Sequence, residues 1–236
     1  MVCTAVVTDV IILHGAWHQP AHYDDVAGRL RSADMSVEVP DLYELSLDDS
    51  TALVEDIVAK SARPPLVLGH SFGGVTAGTV RGAAGLIFLT SWILDVGESP
   101  AQLLEEIANE TGAPPEGLVV VPDSDGRLRL DPADARKNLY GDVGEAAATR
   151  ATELLRPEPP SIFAATPTRV SWHDTPSIYI AGRDDHTIPA PLISRFAAHC
   201  AMSETWETGH SPYLSQPDAV ADLVQRWWRT NQVNKD

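Results

Sequence analysis

The stretch VLGHSFGGV, from Val67 to Val75, places a serine between glycines at the end of an apolar run. Residues 69–73 within it match the pattern G-x-S-x-G. In this pattern the serine occupies a sharp turn from a strand into a helix, and glycines flank it because larger side chains would clash there. An apolar run, PLVLG, leads into the motif, and a run of small residues, GGVTAGTVRG, follows the serine. This context makes Ser71 a candidate nucleophile.

Six short apolar runs predict β-strands, and helical patterns separate them. The runs are VIILHG, MSVEVPD, PLVLG, AGLIFLTSW, PSIYIAG and SETWETG. They are apolar rather than alternating, as expected of parallel strands that helices cover on both faces. One intervening helix, STALVEDIVAKSA, is predicted to begin at Ser50. The alternation predicts an α/β fold with a mostly parallel sheet of about six strands flanked by helices.

The alternation of strands and helices breaks between residues 96 and 173. This segment is rich in Pro, Asp and Arg, and it holds short helical patterns such as SPAQLLEEIANETG and VGEAAATRATELL. It is too structured for a linker and too irregular for the sheet. We therefore predict a core formed by residues 1–95 and 174–236, with residues 96–173 inserted as a small cap.

Composition restricts the partners that the chain could have. The 236 residues include 33 acidic and 17 Lys or Arg side chains, so the formal net charge is −16. This charge repels phosphate backbones and anionic membrane surfaces, so we expect neither nucleic acid nor a membrane as partner. The two cysteines, Cys3 and Cys200, could pair but are expected to be reduced thiols. Without a recognisable signal peptide or membrane span, the chain is expected in the cytoplasm.

A serine nucleophile needs a general base, and the chain has eight histidines. His210 closes the last predicted strand, in TWETGHSPYLSQPDAV, where a base can reach the serine turn. We therefore assign the base to His210. His70 lies inside the turn and is expected to point away from the base position, whereas His18 and His22 are expected at the solvated surface. The remaining histidines have no feature that singles them out: His14, His173, His186 and His199.

The base in turn needs a carboxylate that orients it, and in chains with this serine turn the acid precedes the histidine. The run YIAGRDDHTIP supplies Asp184 and Asp185 directly after a predicted strand. Only one of two adjacent aspartates can face inward, and the spacing leaves both open. Asp95, at the end of LTSWILD, is a third candidate.

An oxyanion formed at the serine would need two backbone N–H donors. The residue after the nucleophile, Phe72, supplies one of them. The turn HGAWH after the first strand supplies the other, because Gly15 permits a tight turn in which Ala16 presents its amide. We therefore expect an oxyanion hole at Ala16 and Phe72.

Four blocks of the chain, in order, resemble the alpha/beta hydrolase superfamily, and more narrowly the plant methylesterases, hydroxynitrile lyases and their bacterial esterase relatives. The blocks are VIILHGAWH, LVLGHSFGG, PSIYIAGRDDHTIP and TGHSPYLSQPDAVADLV. The resemblance implies Ser71 as nucleophile, His210 as base and Asp185, four residues before the proline of its block, as the acid. It does not extend to the cap. Lyase members carry a lysine directly after the histidine, and Ser211 stands there in this chain, which argues against cyanohydrin cleavage.

The resemblance implies a serine hydrolase that cleaves a small, fairly apolar carboxylic ester or lactone through an acyl-enzyme, with no metal or organic cofactor. Trp17, Trp92 and Trp172, together with Phe72, are candidate walls of the substrate pocket. The alternative is a ligand-binding or tailoring member of the same fold, of lyase or cyclase type, without ordinary ester turnover. The expected partner is a small ester-like molecule. The oligomeric state stays open, a homodimer included.

Overall fold

The computed structural model describes residues 7–113 and 117–233, so Cys3 lies outside the described residues. Six parallel strands form one sheet in the order β2-β1-β3-β4-β7-β8. A separate antiparallel hairpin pairs β5 with β6. In these two sheets the strands, numbered along the chain, span Val10–Leu13 (β1), Val37–Glu38 (β2), Leu66–Ser71 (β3), Gly85–Ser91 (β4), Val120–Pro122 (β5), Leu128–Leu130 (β6), Ser177–Gly182 (β7) and Met202–Trp206 (β8). The predicted α/β class and its six-stranded sheet are confirmed.

Helices cover both faces of the sheet. They are α1 (Asp24–Ser32), α2 (Leu47–Lys60), α3 (Gly73–Ala77), α4 (Pro100–Thr111), α5 (Pro132–Asn138), α6 (Glu145–Glu153), α7 (Ala190–His199), α8 (Pro212–Ser215) and α9 (Pro217–Val233). Short 3-10 helices span Pro20–Tyr23 and Pro160–Ala164. No helix within the described ranges is both long and apolar enough to cross a membrane.

Alternate residues of each central strand enter cores on opposite faces of the sheet. In β1, Val10 and Ile12 join a cluster that includes residues of α1 and α9. Ile11 and Leu13 join a second cluster on the α2, α3 and α7 side. Both faces of the central strands are therefore buried, and this explains why these strands are largely apolar rather than alternating.

The helix α2 begins earlier than its sequence pattern suggested. Its first residue is Leu47, and the Ser46 side chain accepts a hydrogen bond from the Asp49 N–H at 3.1 Å. Serine is a favoured N-cap because its oxygen satisfies an N–H that lacks a partner within the helix. Ser50, the predicted start, is instead a buried residue inside the helix, so that prediction was wrong.

The chain between β4 and β7 folds over the carboxyl end of the sheet. It contains α4, the β5–β6 hairpin, α5 and α6, and a third apolar cluster joins it to the turn after β1. Leu139 and Tyr140 of this segment pack in that cluster with Ala16 and Trp17. The hairpin was not predicted. The division at residues 96 and 173 into core and cap stays a prediction.

Cys200 at the end of α7 is a free thiol. Burial raises its pKa to about 11, so the thiol stays protonated near neutral pH.

Candidate active site

Ser71 ends β3 with a φ of +50°, a left-handed conformation that side chains rarely adopt. The glycines around it are required by close backbone approach. A Cβ on Gly69 would lie 2.7 Å from the Cα of Gly74, and one on Gly73 would collide with the carbonyl oxygen of Leu13. The register of β3 against β4 also shifts at this point. The backbone thus holds Ser71 on a strained corner at the carboxyl edge of the sheet.

His210 and Asp185 form a buried pair. His210 Nδ1–H donates to Asp185 Oδ2 at 2.9 Å, and both side chains are at most 1% exposed. The second carboxylate oxygen of Asp185 accepts the N–H groups of Thr187 and Ile188 at 2.8 and 3.3 Å. With its proton on Nδ1, His210 keeps a lone pair on Nε2, which is buried and has no hydrogen-bond partner among the described residues. His210 therefore has the tautomer and the unpartnered nitrogen that a general base requires.

The other two candidate acids lie elsewhere. The Asp184 side chain is exposed to solvent, although it is adjacent to Asp185 in the chain. Asp95 accepts the N–H of Val96 at 2.7 Å and lies 3.5 Å from Nε2 of His173, and the hydrogen bond from Val96 holds the Asp95 pKa below its usual value. Asp185 is the carboxylate that contacts His210.

His70 connects the serine turn to the backbone of His210. Its Nε2–H donates to the His210 carbonyl oxygen at 2.9 Å, and the Thr90 hydroxyl donates to the same oxygen at 2.8 Å. Nδ1 of His70 accepts the Tyr23 hydroxyl proton at 2.8 Å. Burial lowers the His70 pKa well below its ordinary value, so the ring is neutral. The residue next to Ser71 therefore fixes where the His210 loop lies.

The turn after β1 lies against Ser71. A Cβ added to Gly15 would be 2.8 Å from the Ser71 Cβ and 3.3 Å from its hydroxyl oxygen. The hydrogen bonds of the described residues leave the N–H groups of Ala16 and Phe72 without a protein partner. Two unpaired amides therefore stand on residues that flank Ser71, on the turn after β1 and at the start of α3.

His18 and His22 are buried at 1% and 2% exposure, so the prediction of a solvated surface position was wrong. His18 Nδ1–H donates to the Ala16 carbonyl oxygen at 2.7 Å, and its Nε2 accepts the Tyr140 hydroxyl proton at 3.1 Å. His22 Nε2–H donates to the Ala151 carbonyl oxygen at 3.0 Å. Burial lowers the pKa of His22 to about 4 and that of His18 well below its ordinary value. Both rings are neutral parts of the core.

A cavity of about 210 Å³ contains Ser71 in its wall. Of the four predicted aromatic walls, Trp17, Trp92 and Phe72 line it. Trp172 lies in the apolar core instead, where its indole N–H donates to the Leu94 carbonyl oxygen at 3.0 Å. The rest of this lining comes largely from the segment between β4 and β7: Leu104, Gly117, Leu118, Val120, Leu139 and Phe163, with His18 and Thr187.

A second cavity of about 440 Å³ shares Ala16 and Phe72 with the first. Its wall also contains Glu158, a buried carboxyl group that the sequence patterns did not single out. Burial raises the Glu158 pKa to about 7. The two unpaired amides therefore stand between two cavities, one of which reaches Ser71.

Comparison with known proteins gives a consistent picture. The model of the alpha/beta hydrolase family matches residues 10–223. A pyrethroid hydrolase of Sphingobium wenxiniae is 28% identical and covers 92% of this chain and 86% of its own. A pyrethroid hydrolase from Sphingobium faniae superposes with a TM-score of 0.75 at 23% identity, covering 95% of this chain and 98% of its own. A methylesterase from Arabidopsis superposes with a TM-score of 0.74 at 16% identity, covering 93% and 98%.

Proposed function

Since the chain belongs to the alpha/beta hydrolase family, we propose that it is a serine esterase cleaving a small, fairly apolar carboxylic ester or lactone. The observation that carries the proposal is the buried His210–Asp185 pair, which leaves Nε2 of His210 unpartnered in the described structure. The His210 loop is bonded to His70, the residue before the strained Ser71. A serine, a base and an acid with these environments can carry out acyl transfer.

In the proposed first step, the Ser71 hydroxyl oxygen attacks the ester carbonyl carbon while His210 Nε2 takes the hydroxyl proton. Asp185 keeps the imidazole in the tautomer with its proton on Nδ1 and stabilises the imidazolium that forms. The carbonyl oxygen becomes an oxyanion, which the N–H groups of Ala16 and Phe72 stabilise. These amides are suited to that role because no protein group occupies them.

Collapse of the tetrahedral intermediate breaks the bond from the carbonyl carbon to the alcohol oxygen. His210 gives its proton to the departing alkoxide, which leaves as the alcohol, and the acyl group stays on Ser71. Water then attacks the acyl-enzyme while His210 takes one of its protons, and the second collapse releases the acid and returns the proton to Ser71. Every proton in this cycle passes through His210.

The proposed substrate class follows from the lining of the cavity at Ser71. Most of its wall is apolar, with Trp17, Trp92 and Phe163 as aromatic surfaces. The segment between residues 96 and 173 supplies much of that wall, in agreement with its proposed role as a cap that shapes specificity. Relatives of this chain carry the names pyrethroid hydrolase and methylesterase, which are esterase activities. The cytoplasmic location and the oligomeric state stay predictions.

The test is the hydrolysis of short-chain nitrophenyl esters by the wild-type protein and by Ser71→Ala. We expect turnover in the wild type and a loss of at least about a thousandfold in kcat for the variant, because no other group replaces the nucleophile. Ser203→Ala, which changes an exposed serine on β8, is the matched control and should retain wild-type rates.

Two results would contradict the proposal. A Ser71→Ala variant with wild-type rates would place the chemistry elsewhere. A folded wild-type protein that turns over no ester, while still binding such ligands, would favour the ligand-binding or tailoring alternative.

A further inference from the structure

Trp17 directly follows Ala16, whose amide is one of the two proposed oxyanion donors. It has a φ of +64°, a left-handed conformation that is unusual for a bulky aromatic residue. Such a conformation persists only when the surroundings hold it in place. The contacts that hold Trp17 therefore bear on the shape of the turn that carries the Ala16 N–H.

All three polar groups of Trp17 are bonded to the segment between β4 and β7. Its N–H donates to Glu158 Oε1 at 3.0 Å, and its carbonyl oxygen accepts the Arg156 N–H at 2.8 Å. Its indole N–H donates to the Leu128 carbonyl oxygen at 2.9 Å. Leu128 and Glu158 pair with each other through two backbone hydrogen bonds of 2.7 and 2.9 Å. These three hydrogen bonds, which join Trp17 to residues 128, 156 and 158 and are termed the clasp, hold Trp17 against this segment.

The peptide unit between Ala16 and Trp17 is held at both ends. Its N–H donates to Glu158, and its oxygen, on Ala16, accepts Nδ1–H of His18 at 2.7 Å. Because a peptide unit is planar, two such bonds fix its orientation, and with it the backbone on the carboxyl side of Ala16. The Ala16 N–H belongs to the preceding peptide unit, whose oxygen, on Gly15, accepts the His18 N–H at 3.2 Å and lies 3.0 Å from His14 Nδ1. Glu158 therefore acts on the Ala16 N–H through the backbone angles of Ala16, which link the two units. Among the described residues, Glu158 supplies the only side-chain acceptor that reaches this turn from the segment between β4 and β7.

Glu158 has no other role in the proposed reaction. It is 4% exposed, although burying a carboxyl group is unfavourable unless it is hydrogen-bonded or paired with a charge. Its second oxygen, Oε2, forms no hydrogen bond with the described residues. The Trp17 N–H is therefore the hydrogen-bond partner of this buried carboxyl group, while the Glu158 backbone is held by Leu128.

We propose that Glu158 is a positioning residue for the oxyanion hole, holding the Ala16–Trp17 peptide so that the Ala16 N–H stays directed at the reacting carbonyl. This inference rests on the proposed esterase function. Without the Glu158 acceptor, the peptide can rotate away from its strained position. The Ala16 N–H then stabilises the oxyanion of the transition state less well, whereas the binding of substrate in the cavity at Ser71 changes little.

The test compares Glu158→Ala, Glu158→Gln and the wild type on one nitrophenyl ester. Glu158→Ala removes the acceptor, so kcat should fall about ten- to a hundredfold with KM within about twofold, a smaller loss than removal of a whole donor. Glu158→Gln retains an oxygen that accepts the Trp17 N–H, so kcat should stay within about threefold of wild type. Tyr43→Phe, which removes a bond to the neighbouring Pro157 carbonyl oxygen, should leave both constants unchanged.

Hydrogen exchange of the free proteins, followed on the peptide that contains residues 15–18, tests the clasp without any substrate. Glu158→Ala should exchange the Trp17 amide at least about tenfold faster than wild type and Glu158→Gln, with far-UV circular dichroism unchanged. This readout stands even if no ester is turned over, so failure of the esterase proposal is distinguishable from failure of the clasp.

Three outcomes would overturn the inference. Unchanged exchange in Glu158→Ala would show that the hydrogen bond does not hold the turn. Unchanged kcat together with faster exchange would show that the turn does not control catalysis. A rise in KM alone, in both variants, would make Glu158 a contact for substrate rather than a positioning residue.

Discussion

Ser71 is placed by its neighbours rather than by its own side chain. A serine with φ near +50° is strained, and it is tolerated here because glycines at positions 69, 73 and 74 let three backbone segments meet within contact distance. Replacing any of these glycines would bring a Cβ closer than 3 Å to a neighbouring atom. The strain and the close packing are therefore two aspects of one feature, the corner that lifts the hydroxyl above the sheet.

Asp184 and Asp185 show how adjacent, identical residues acquire different environments. The turn after β7 directs Asp185 inward to His210, while Asp184 stays in solvent. The residue pattern alone left both open, and the resemblance to known hydrolases favoured Asp185. The contact between Asp185 and His210 agrees with that preference, and a direct measurement can test the role.

Asp185→Asn should lower kcat on a nitrophenyl ester by about a thousand- to ten-thousandfold, because the amide no longer holds Nδ1–H of His210 as a carboxylate does. Asp184→Asn changes the same charge on an exposed neighbour and should stay within about twofold of wild type. Steady-state measurement of kcat for the two variants tests which aspartate orients His210. A larger loss in Asp184→Asn than in Asp185→Asn would reverse the assignment.

The elements that could be predicted from the sequence are those whose signals are local. The six strands were visible as apolar runs, and the serine turn as a glycine pattern following one of them. Two local signals were nevertheless missed. Ser46, three residues before Asp49, marks the start of α2. The run VVVPDSDGRLRL, with Asp-Gly at its centre, carries a hairpin signal between β5 and β6.

Other features could not be predicted because they depend on contacts between distant segments. His18 and His22 follow a strand end and begin a helix, positions that are often solvated. Their burial comes from Tyr140 and Ala151, more than 120 residues away in the chain. The buried carboxyl group of Glu158 likewise has its hydrogen-bond partner, the Trp17 N–H, 141 residues away. No local pattern of polarity contains this information.

At the scale of the whole molecule, neutral histidines at the centre link stability to pH. The rings of His18 and His22 lie 4.6 Å apart and those of His18 and His70 5.6 Å apart, all buried. Burial lowers the pKa of each below 6.5, so below that pH the unfolded chain binds more protons than the folded one. Their stabilisation is present at neutral pH and is lost as the pH falls.

Glu158 changes the stability of the fold with pH in the opposite direction to the histidines. Its pKa is raised from 4.5 to about 7 in the folded state, so its stabilisation is present below 4.5 and is lost as the pH rises through 7. This one group opposes the three histidines, and burial also lowers the pKa of a fourth, His14. Below pH 6.5, each neutral histidine lowers the free energy of unfolding by about 1.4 kcal/mol for every further pH unit. The contribution of the histidines is larger, so the free energy of unfolding falls as the pH falls.

Urea unfolding should therefore show a free energy of unfolding lower by at least about 3 kcal/mol at pH 5 than at pH 7. His22→Gln keeps a donor for the Ala151 carbonyl oxygen but does not titrate, so the fall in its free energy of unfolding between pH 6 and 5 should be smaller by about 1 kcal/mol. Comparing how the free energy of unfolding changes with pH in the two proteins removes any loss of stability that the substitution causes equally at every pH. Equal stability at the two pH values would mean that these rings are charged or solvated in the folded protein.

Covalent labelling is a direct test of Ser71 as the proposed nucleophile. A fluorophosphonate should form one adduct, in which the Ser71 oxygen bonds to phosphorus, fluoride leaves and the hydroxyl proton passes through His210 to solvent. Mass spectrometry should find the label on the peptide containing Ser71 in the wild type and in Ser203→Ala, and no label in Ser71→Ala. A label on another residue, or ester turnover with Ser71 unlabelled, would contradict the account.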